Sequence, residues 1–257
     1  MNTNKNQKTL IVANWKMNPL TLRDAKSMYG KIRTQAGKMQ NVQTIVCAPF
    51  VYLSELQKLT KGHRCVPGAQ NLFYEKNGAY TGEISAVMLK EMKVPYVIIG
   101  HSERRAIGET DEIVNKKVIA ALKEKLQVVL CVGEKERDEA EYLHFLREEI
   151  KNSLASVSRA QLGNLIIAYE PIWAVGEGKR SDTPEDTQET ILFLRKVLAE
   201  IFDKRVAMSI SILYGGSVNA KNAQSFLQQS GAQGLLIGRA SLDTKQFGEI
   251  LKIANSQ

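Results

Sequence analysis

The sequence predicts an α/β fold: one (β/α)8 barrel domain over residues 1–257, with residues 1–7 as a polar N-terminal extension. Short apolar runs alternate with longer amphipathic stretches, and about eight such pairs fit the chain without a composition break or a linker. An open, doubly wound sheet is the alternative, and it usually has fewer strands. Because periodicity does not reveal closure, the strand count favours the barrel.

The predicted strands are the short apolar runs. They lie at residues 9–13, 43–47, 64–66, 96–99, 127–132, 165–169, 208–213 and 234–237. Amphipathic patterns predict helices at residues 20–36, 51–59, 83–91, 111–125, 139–157, 183–202, 219–229 and 244–254. Thr110 and the pair Thr183-Pro184 are start signals, since a capping hydroxyl precedes the first turn.

Composition excludes several classes of protein. No run approaches the roughly 20 apolar residues of a membrane span. The net charge is +8, but the basic residues are scattered among acids, which predicts solvated helix faces and a mild preference for anionic substrates rather than nucleic acid. The three cysteines lack metal-ligand spacing, and the N-terminal residues lack an apolar targeting core. We therefore expect buried free thiols and a cytoplasmic protein.

Glu170 stands directly after the apolar run 165–169, and Pro171 cannot continue a central strand. The carboxylate is therefore expected at the C-terminal mouth of that strand, where a barrel binds ligands. The following segment is too apolar for an ordinary loop, since it contains Ile172, Trp173 and Val175. Its glycines, Gly176 and Gly178, give backbone freedom. We interpret this as a base followed by a water-excluding flap. A partly buried connection is the alternative.

Two further ionisable residues follow predicted strands. Lys16 comes after the first strand and His101 after the fourth, at a strand-to-helix turn whose positive end disfavours imidazolium. Taken singly, a snorkelling lysine and a structural histidine are open alternatives. Their shared position with Glu170 favours catalysis.

Glycine-containing turns at residues 214–219 and 238–242 follow the last two strands. Each turn is expected to open a helix, so its free N–H groups can bind an anion such as a phosphate. Tight packing turns are the alternative.

The chain resembles the triosephosphate isomerase family from Ile11 to nearly the C-terminus. The matching blocks are residues 13–18 (ANWKMN), 68–71 (GAQN), 82–85 (GEIS), 99–105 (IGHSERR), 168–176 (AYEPIWAVG) and 214–218 (YGGSV). The resemblance implies a TIM barrel that interconverts dihydroxyacetone phosphate and glyceraldehyde 3-phosphate through an enediolate, in glycolysis and gluconeogenesis, without cofactor or metal.

The resemblance also implies catalytic roles. Glu170 would be the base and His101 the neutral electrophile, an arrangement for which this family is the standard example. Lys16 would stabilise the enediolate and the substrate's negative charge, Asn14 would hold the oxyanion side, and Glu103 would position Lys16.

Substrate binding is implied in the same way. The phosphate would be bound by backbone N–H groups, those of Gly176, Ser217, Gly238 and Arg239. Flap closure over residues 171–181 would bring Ile172 toward the base, opposite an apolar wall at Leu236.

The chain departs from the motifs of the family at two positions, and the resemblance also implies a partner subunit. Arg239 replaces a usual glycine and would be strained if a positive φ were required. Glu177 stands at a flap hinge where a small hydroxyl residue is common, which predicts altered closure kinetics. The loop at residues 70–82 would insert beside the partner subunit's active site, with Thr81 near the partner's Asn14, so a homodimer is expected.

Two other functions fit the same residues. A barrel aldolase would use Lys16 as a Schiff-base lysine. An inactive barrel would bind phosphate ligands or a protein partner without turnover.

Overall fold

The computed structural model describes residues 8–137, 141–174 and 182–257, while residues 1–7, 138–140 and 175–181 lie outside the described part. Its eight parallel strands pair in chain order, and the last strand pairs with the first. The predicted closed barrel is confirmed. The strands are β1 Thr9–Asn14, β2 Val42–Cys47, β3 Cys65–Ala69, β4 Tyr96–Ile99, β5 Gln127–Val132, β6 Leu165–Tyr169, β7 Ser211–Tyr214 and β8 Gly234–Ile237.

Helices surround the barrel. They are α1 Leu22–Ala36, α2 Phe50–Leu59, α3 Ala86–Glu91, α4 Ser102–Ala106, α5 Asp111–Lys123, α6 Glu141–Ser153, α7 Pro184–Ile201, α8 Lys204–Ser209, α9 Ala223–Gln229 and α10 Thr244–Asn255. Within the described ranges, no helix combines the length and the apolar character that a membrane crossing requires.

The two predicted helix starts are confirmed. Thr110 accepts a hydrogen bond from the Ile113 N–H at the start of α5, and Thr183 accepts one from the Asp186 N–H at the start of α7. Each hydroxyl satisfies a backbone donor that the first helical turn leaves unpaired.

The prediction for the seventh strand was wrong at its start. Residues 208–209 belong to α8, which Asp203 caps by accepting from the Val206 N–H, so β7 begins only at Ser211. A short apolar run does not distinguish a strand from a helical turn, and here the Asp203 cap favours the helix.

Other boundaries differ as well, and two of them have a clear physical reason. The third strand extends through Pro67 and Gly68 to Ala69, although proline and glycine usually end a strand. A Cβ at Gly68 would lie 2.7 Å from the Cys47 Sγ, so glycine permits close contact with β2. The ninth helix begins at Ala223, not at residue 219, because Asn219 and Asn222 side chains bind nearby backbone groups in a turn.

Strand side chains alternate between two apolar clusters. One cluster contains only strand residues and fills the barrel; among them are Val12, Ile98 and Val129. The other contains Ile11, Val128 and the buried faces of the helices. All three cysteines are buried free thiols, as predicted.

Candidate active site

Loops at the C-terminal ends of the strands enclose a pocket of about 480 Å³. It is lined by the predicted residues Asn14, Lys16, His101, Glu170, Ser217, Leu236, Gly238 and Arg239, and by Gly215, Gly216, Val218, Asn219, Ala240, Asp243 and Gln246. The three ionisable side chains named from the sequence therefore meet, although they follow three different strands.

Glu170 is the buried acid of the pocket, with 4% of its surface exposed. One carboxylate oxygen lies 3.2 Å from the His101 Nε2, and the other accepts a hydrogen bond from the Ser102 N–H at 3.2 Å. The Glu170 N–H donates to the Val132 carbonyl at 2.8 Å. Both the carboxylate and the backbone of Glu170 are thus held in place.

His101 lies at the N-terminus of α4, at the predicted strand-to-helix turn. Its Nδ1 accepts a hydrogen bond from the Glu103 N–H at 3.1 Å. An accepting Nδ1 carries no proton, so the neutral ring carries its proton on Nε2, which faces Glu170. The backbone therefore selects a neutral tautomer that can donate a hydrogen bond.

Lys16 combines an ion pair with an unusual backbone conformation. Its Nζ lies 2.6 Å from the Glu103 carboxylate. Its φ of 53° is in the left-handed region, which costs roughly 1–2 kcal/mol for a residue with a Cβ. The Lys16 N–H donates to Asn14 Oδ1 at 3.0 Å, and Gln70 Nε2 donates to the Lys16 carbonyl at 2.8 Å. These hydrogen bonds hold the strained residue toward the pocket.

Gln70 is a residue whose contribution sequence reasoning missed. It was part of the matching block 68–71, but nothing in its spacing indicated a role. Its side chain also donates to the Cys47 carbonyl at 3.0 Å, so it joins the ends of β1 and β2 beside Lys16.

The glycines of the last two turns allow close approach to the ionisable side chains. A Cβ at Gly215 would lie 2.9 Å from the Glu170 Cγ and 3.5 Å from a Leu236 methyl group. A Cβ at Gly238 would lie 3.3 Å from the Lys16 side chain. A larger residue would displace these groups, so the turns shape the pocket wall as well as supplying backbone N–H groups.

Arg239 is not among the described residues that have a positive φ. It begins the short 3₁₀ segment Arg239–Ser241. The strain expected for a required positive φ therefore does not arise. Its exposed side chain stands beside the pocket with Asp243 and Gln246.

The first residues of the predicted flap are anchored by Glu134, another residue that sequence reasoning missed. Tyr169 Oη and Trp173 Nε1 both donate to one Glu134 carboxylate oxygen, at 2.8 and 2.7 Å. Burial raises the pKa of Glu134, opposed by the hydrogen bond from Trp173. The Ile172 N–H donates to the Glu134 carbonyl at 3.0 Å, and Ile172 is half-buried outside the pocket lining. Gly176 and Glu177 lie outside the described residues.

Within residues 8–137, 141–174 and 182–257, no group of three or more His, Cys, Asp or Glu side chains is placed to hold a metal ion.

A buried carboxylate, an imidazole and a paired ammonium around one pocket are typical of a barrel enzyme that transfers protons on an anionic ligand. The family model described as "Triosephosphate isomerase" matches residues 9–254. Curated relatives named triosephosphate isomerase include those of Dehalococcoides mccartyi (44% identical over 95% of this chain and 96% of the relative), Thermoanaerobacter pseudethanolicus (42%, 95% and 99%) and Alkaliphilus oremlandii (40%, 94% and 97%). The chain belongs to the triosephosphate isomerase family.

Proposed function

We propose that the chain interconverts dihydroxyacetone phosphate and D-glyceraldehyde 3-phosphate by cofactor-free proton transfer through an enediolate. Family membership makes it an isomerase. The observation that carries the proposal is the meeting of Lys16, His101 and Glu170 in one pocket. The reaction serves glycolysis and gluconeogenesis.

Glu170 is proposed to take a proton from the carbon beside the substrate carbonyl and to return it to the neighbouring carbon. To do so, its carboxylate leaves the Ser102 N–H and faces the ligand. The shift gives up one hydrogen bond so that the carboxylate can reach the substrate carbon.

His101 and Lys16 are proposed to stabilise the negative charge that develops on the substrate oxygens. The His101 Nε2–H donates to the carbonyl oxygen and passes protons between the two oxygens, while Asn14 holds the oxyanion side. The Lys16 ammonium lies opposite, positioned by Glu103. Preorganised donors need little rearrangement when the charge appears.

The substrate phosphate is proposed to bind the turns after β7 and β8, through backbone N–H groups of Ser217, Gly238 and Arg239. The backbone N–H of Gly176 is proposed as a further donor to the phosphate. Leu236 forms the apolar wall, and closure of residues 171–181 brings Ile172 over Glu170, which limits loss of phosphate from the enediolate.

The test is turnover of D-glyceraldehyde 3-phosphate by the native chain, Glu170→Gln and Glu148→Gln. Loss of the base is expected to lower kcat by about 10²–10⁴-fold. Glu148 is on the exposed side of α6 and serves as the matched control, with native activity expected. Equal activity of the native chain and Glu170→Gln would remove the proposed base.

The aldolase alternative is tested by borohydride reduction in the presence of substrate. The close Lys16–Glu103 ion pair occupies Nζ, whereas Schiff-base formation needs a free amine. We expect no covalent adduct at Lys16 by mass spectrometry. An adduct there would contradict isomerisation as described.

We infer that the chain forms a homodimer through the loop at residues 70–82. Large apolar side chains on the loop after β1, on the first turn of α2 and on the loop after β3 are exposed: Met17 (88%), Leu20 (89%), Val51 (79%) and Tyr80 (44%). Tyr52 Oη donates to the Pro19 carbonyl at 2.8 Å, which joins α2 to the loop after β1. Exposed apolar side chains on adjoining segments are typical of a protein interface.

Light scattering after size exclusion is expected to give twice the chain mass of 28.7 kDa. Tyr80→Asp is expected to shift the protein toward the single-chain mass, because a charge enters an apolar interface. Leu192→Asp, at an exposed leucine on α7, is the control. A native protein at the single-chain mass contradicts the proposal.

We further infer one catalytic domain over residues 1–257 and a cytoplasmic location. The family match over residues 9–254 and the three buried free thiols support these inferences. Deletion of residues 1–7 is expected to leave turnover and unfolding unchanged; a large loss would contradict their assignment as an extension.

A further inference from the structure

A buried carboxylate behind the pocket is not explained by the proposed chemistry. Glu149 lies on α6, has 2% of its surface exposed and is absent from the pocket lining. Its Oε2 accepts a hydrogen bond from the Gly133 N–H at 2.9 Å, and its Oε1 lies 3.2 Å from the Arg105 Nε in an ion pair. A buried carboxylate with two partners on different segments joins those segments.

The first partner, Gly133, determines where the backbone of Glu170 lies. Gly133 follows β5, and a Cβ on it would stand only 1.8 Å from the Glu170 carbonyl oxygen. The preceding residue, Val132, accepts the Glu170 N–H. A shift of Gly133 therefore moves the backbone that carries the base.

The second partner, Arg105, anchors α4. Its Nε donates to the Gly100 carbonyl at 2.9 Å and its Nη1 donates to Asp111 at 2.5 Å. At the start of the same short helix, His101 and the Ser102 N–H contact the two oxygens of the Glu170 carboxylate. A shift of α4 therefore moves both groups that hold the carboxylate.

We propose that Glu149 is a positioning residue, whose carboxylate couples the end of β5 to α4 and so keeps Glu170 and His101 in their working geometry. It acts through Gly133 and Arg105, without contact with the ligand. The inference rests on the proposed isomerase function for its kinetic readout only.

The charges around Glu149 make this coupling pH-dependent. Burial raises the pKa of Glu149 to about 8; Arg105 on α4 and the Gly133 N–H oppose the rise, while Asp111 on α5 and Glu170 add to it. Above that pH the ionised carboxylate pairs with Arg105. Below it the neutral acid holds Arg105 less strongly, because a charge-assisted contact is the stronger one.

Glu149→Gln is the sharpest test, because the amide resembles the neutral acid in shape and charge. The native kcat and that of the variant are expected to agree within about twofold at pH 6.5, whereas the native kcat exceeds the variant's by on the order of tenfold at pH 9. KM is expected to change little. Glu148→Gln, at the preceding position of α6, is the control and should follow the native profile.

A ratio of native to Glu149→Gln kcat that does not depend on pH would overturn the proposal. So would a change confined to KM, since a positioning residue acts on the base rather than on ground-state binding.

A second measurement does not require activity. Glu149→Leu removes both acceptor oxygens, so amide hydrogen exchange is expected to accelerate in residues 98–106 and 130–134. Faster exchange spread evenly over the chain would indicate a merely structural role and contradict the proposal. If the native chain lacks turnover, the proposed function fails, and the exchange measurement still decides the coupling.

Discussion

The barrel interior and the pocket at its mouth are built from the same strands but obey different rules. In the interior, Val12, Ile98 and Val129 belong to a cluster of buried apolar side chains. At the mouth, Glu170 and His101 are buried although both are polar, and Lys16 adopts a left-handed backbone. The interior supplies stability, and the mouth uses part of it to hold strained and ionisable groups.

The difference also appears in the neighbours of each region. An apolar interior residue needs only a good fit, because packing carries no direction. Each ionisable residue of the mouth has a directional partner, such as the Ser102 N–H for Glu170 or the Glu103 N–H for His101. A change in the interior should therefore reduce stability first, and a change at the mouth should reduce activity first.

The largest expected effect is on stability, in Ile98→Ala. Removing a fully buried side chain from the interior is expected to lower the free energy of unfolding by about 2–5 kcal/mol, by lost burial and a residual cavity. Urea unfolding measures it. Leu192→Ala, at an exposed leucine, is the control, with a change within about 0.5 kcal/mol. If both variants lose equal stability, the interior has no special role.

Lys16→Met should show the opposite behaviour. Loss of the ammonium is expected to lower kcat/KM by on the order of 10²–10³-fold, a typical effect of removing one group that stabilises transition-state charge. Unfolding should change by less than about 1 kcal/mol, because the ion pair with Glu103 is partly exposed. Lys26→Met, which removes a surface ion pair with Glu55, is the control for kinetics. If Lys16→Met keeps the native kcat/KM, Lys16 and the pocket at the barrel mouth do not take part in catalysis as proposed.

The barrel interior and the groups that support the mouth from behind should also differ in pH dependence. Because burial raises the pKa of Glu149 from 4.5 to about 8, the folded chain binds this proton more tightly than the unfolded chain. The contribution of Glu149 to the free energy of unfolding should therefore fall as pH rises between these values. Glu149→Gln removes that fall, whereas the stability loss of Ile98→Ala should stay the same at pH 5 and pH 8. Equal pH slopes for the native chain and Glu149→Gln would contradict the assignment.

The smallest effect is expected for Arg239→Gly, which introduces the glycine that the family resemblance implies at this position. The backbone N–H remains, and the lost charge is exposed and screened by solvent, so KM should change by less than about threefold. Arg239→Ala separates the loss of charge from the gain of backbone freedom. A rise in KM above tenfold in both variants would show that the guanidinium itself binds the substrate phosphate.

Sequence reasoning located the strand mouths because the pattern there is local. Glu170 follows an apolar run and precedes a proline, and His101 comes shortly after the apolar run 96–99; both features are readable in the chain. The same reasoning placed Met208 in a strand, since a short apolar run fits a helical turn equally well, and only the Asp203 cap resolves the choice.

Gln70, Glu134 and Glu149 could not be assigned from the sequence. Each acts through a partner distant along the chain: Gln70 on Lys16, Glu134 on Trp173, and Glu149 on Arg105. A glutamate on an amphipathic helix has the same local pattern whether it faces solvent, as Glu148 does, or a buried arginine. Burial of a single polar side chain depends on how the helix packs.

The sequence alone determined the alternation of strands and helices, the family, and the identity of the three ionisable residues, because these depend on short-range pattern and motif. Only the tertiary structure decided the contact of His101 with Glu170, the hydrogen bond from Gln70 to Lys16 and the partners of Glu149. These properties depend on distances between segments far apart in the chain, which exist only once the barrel has closed.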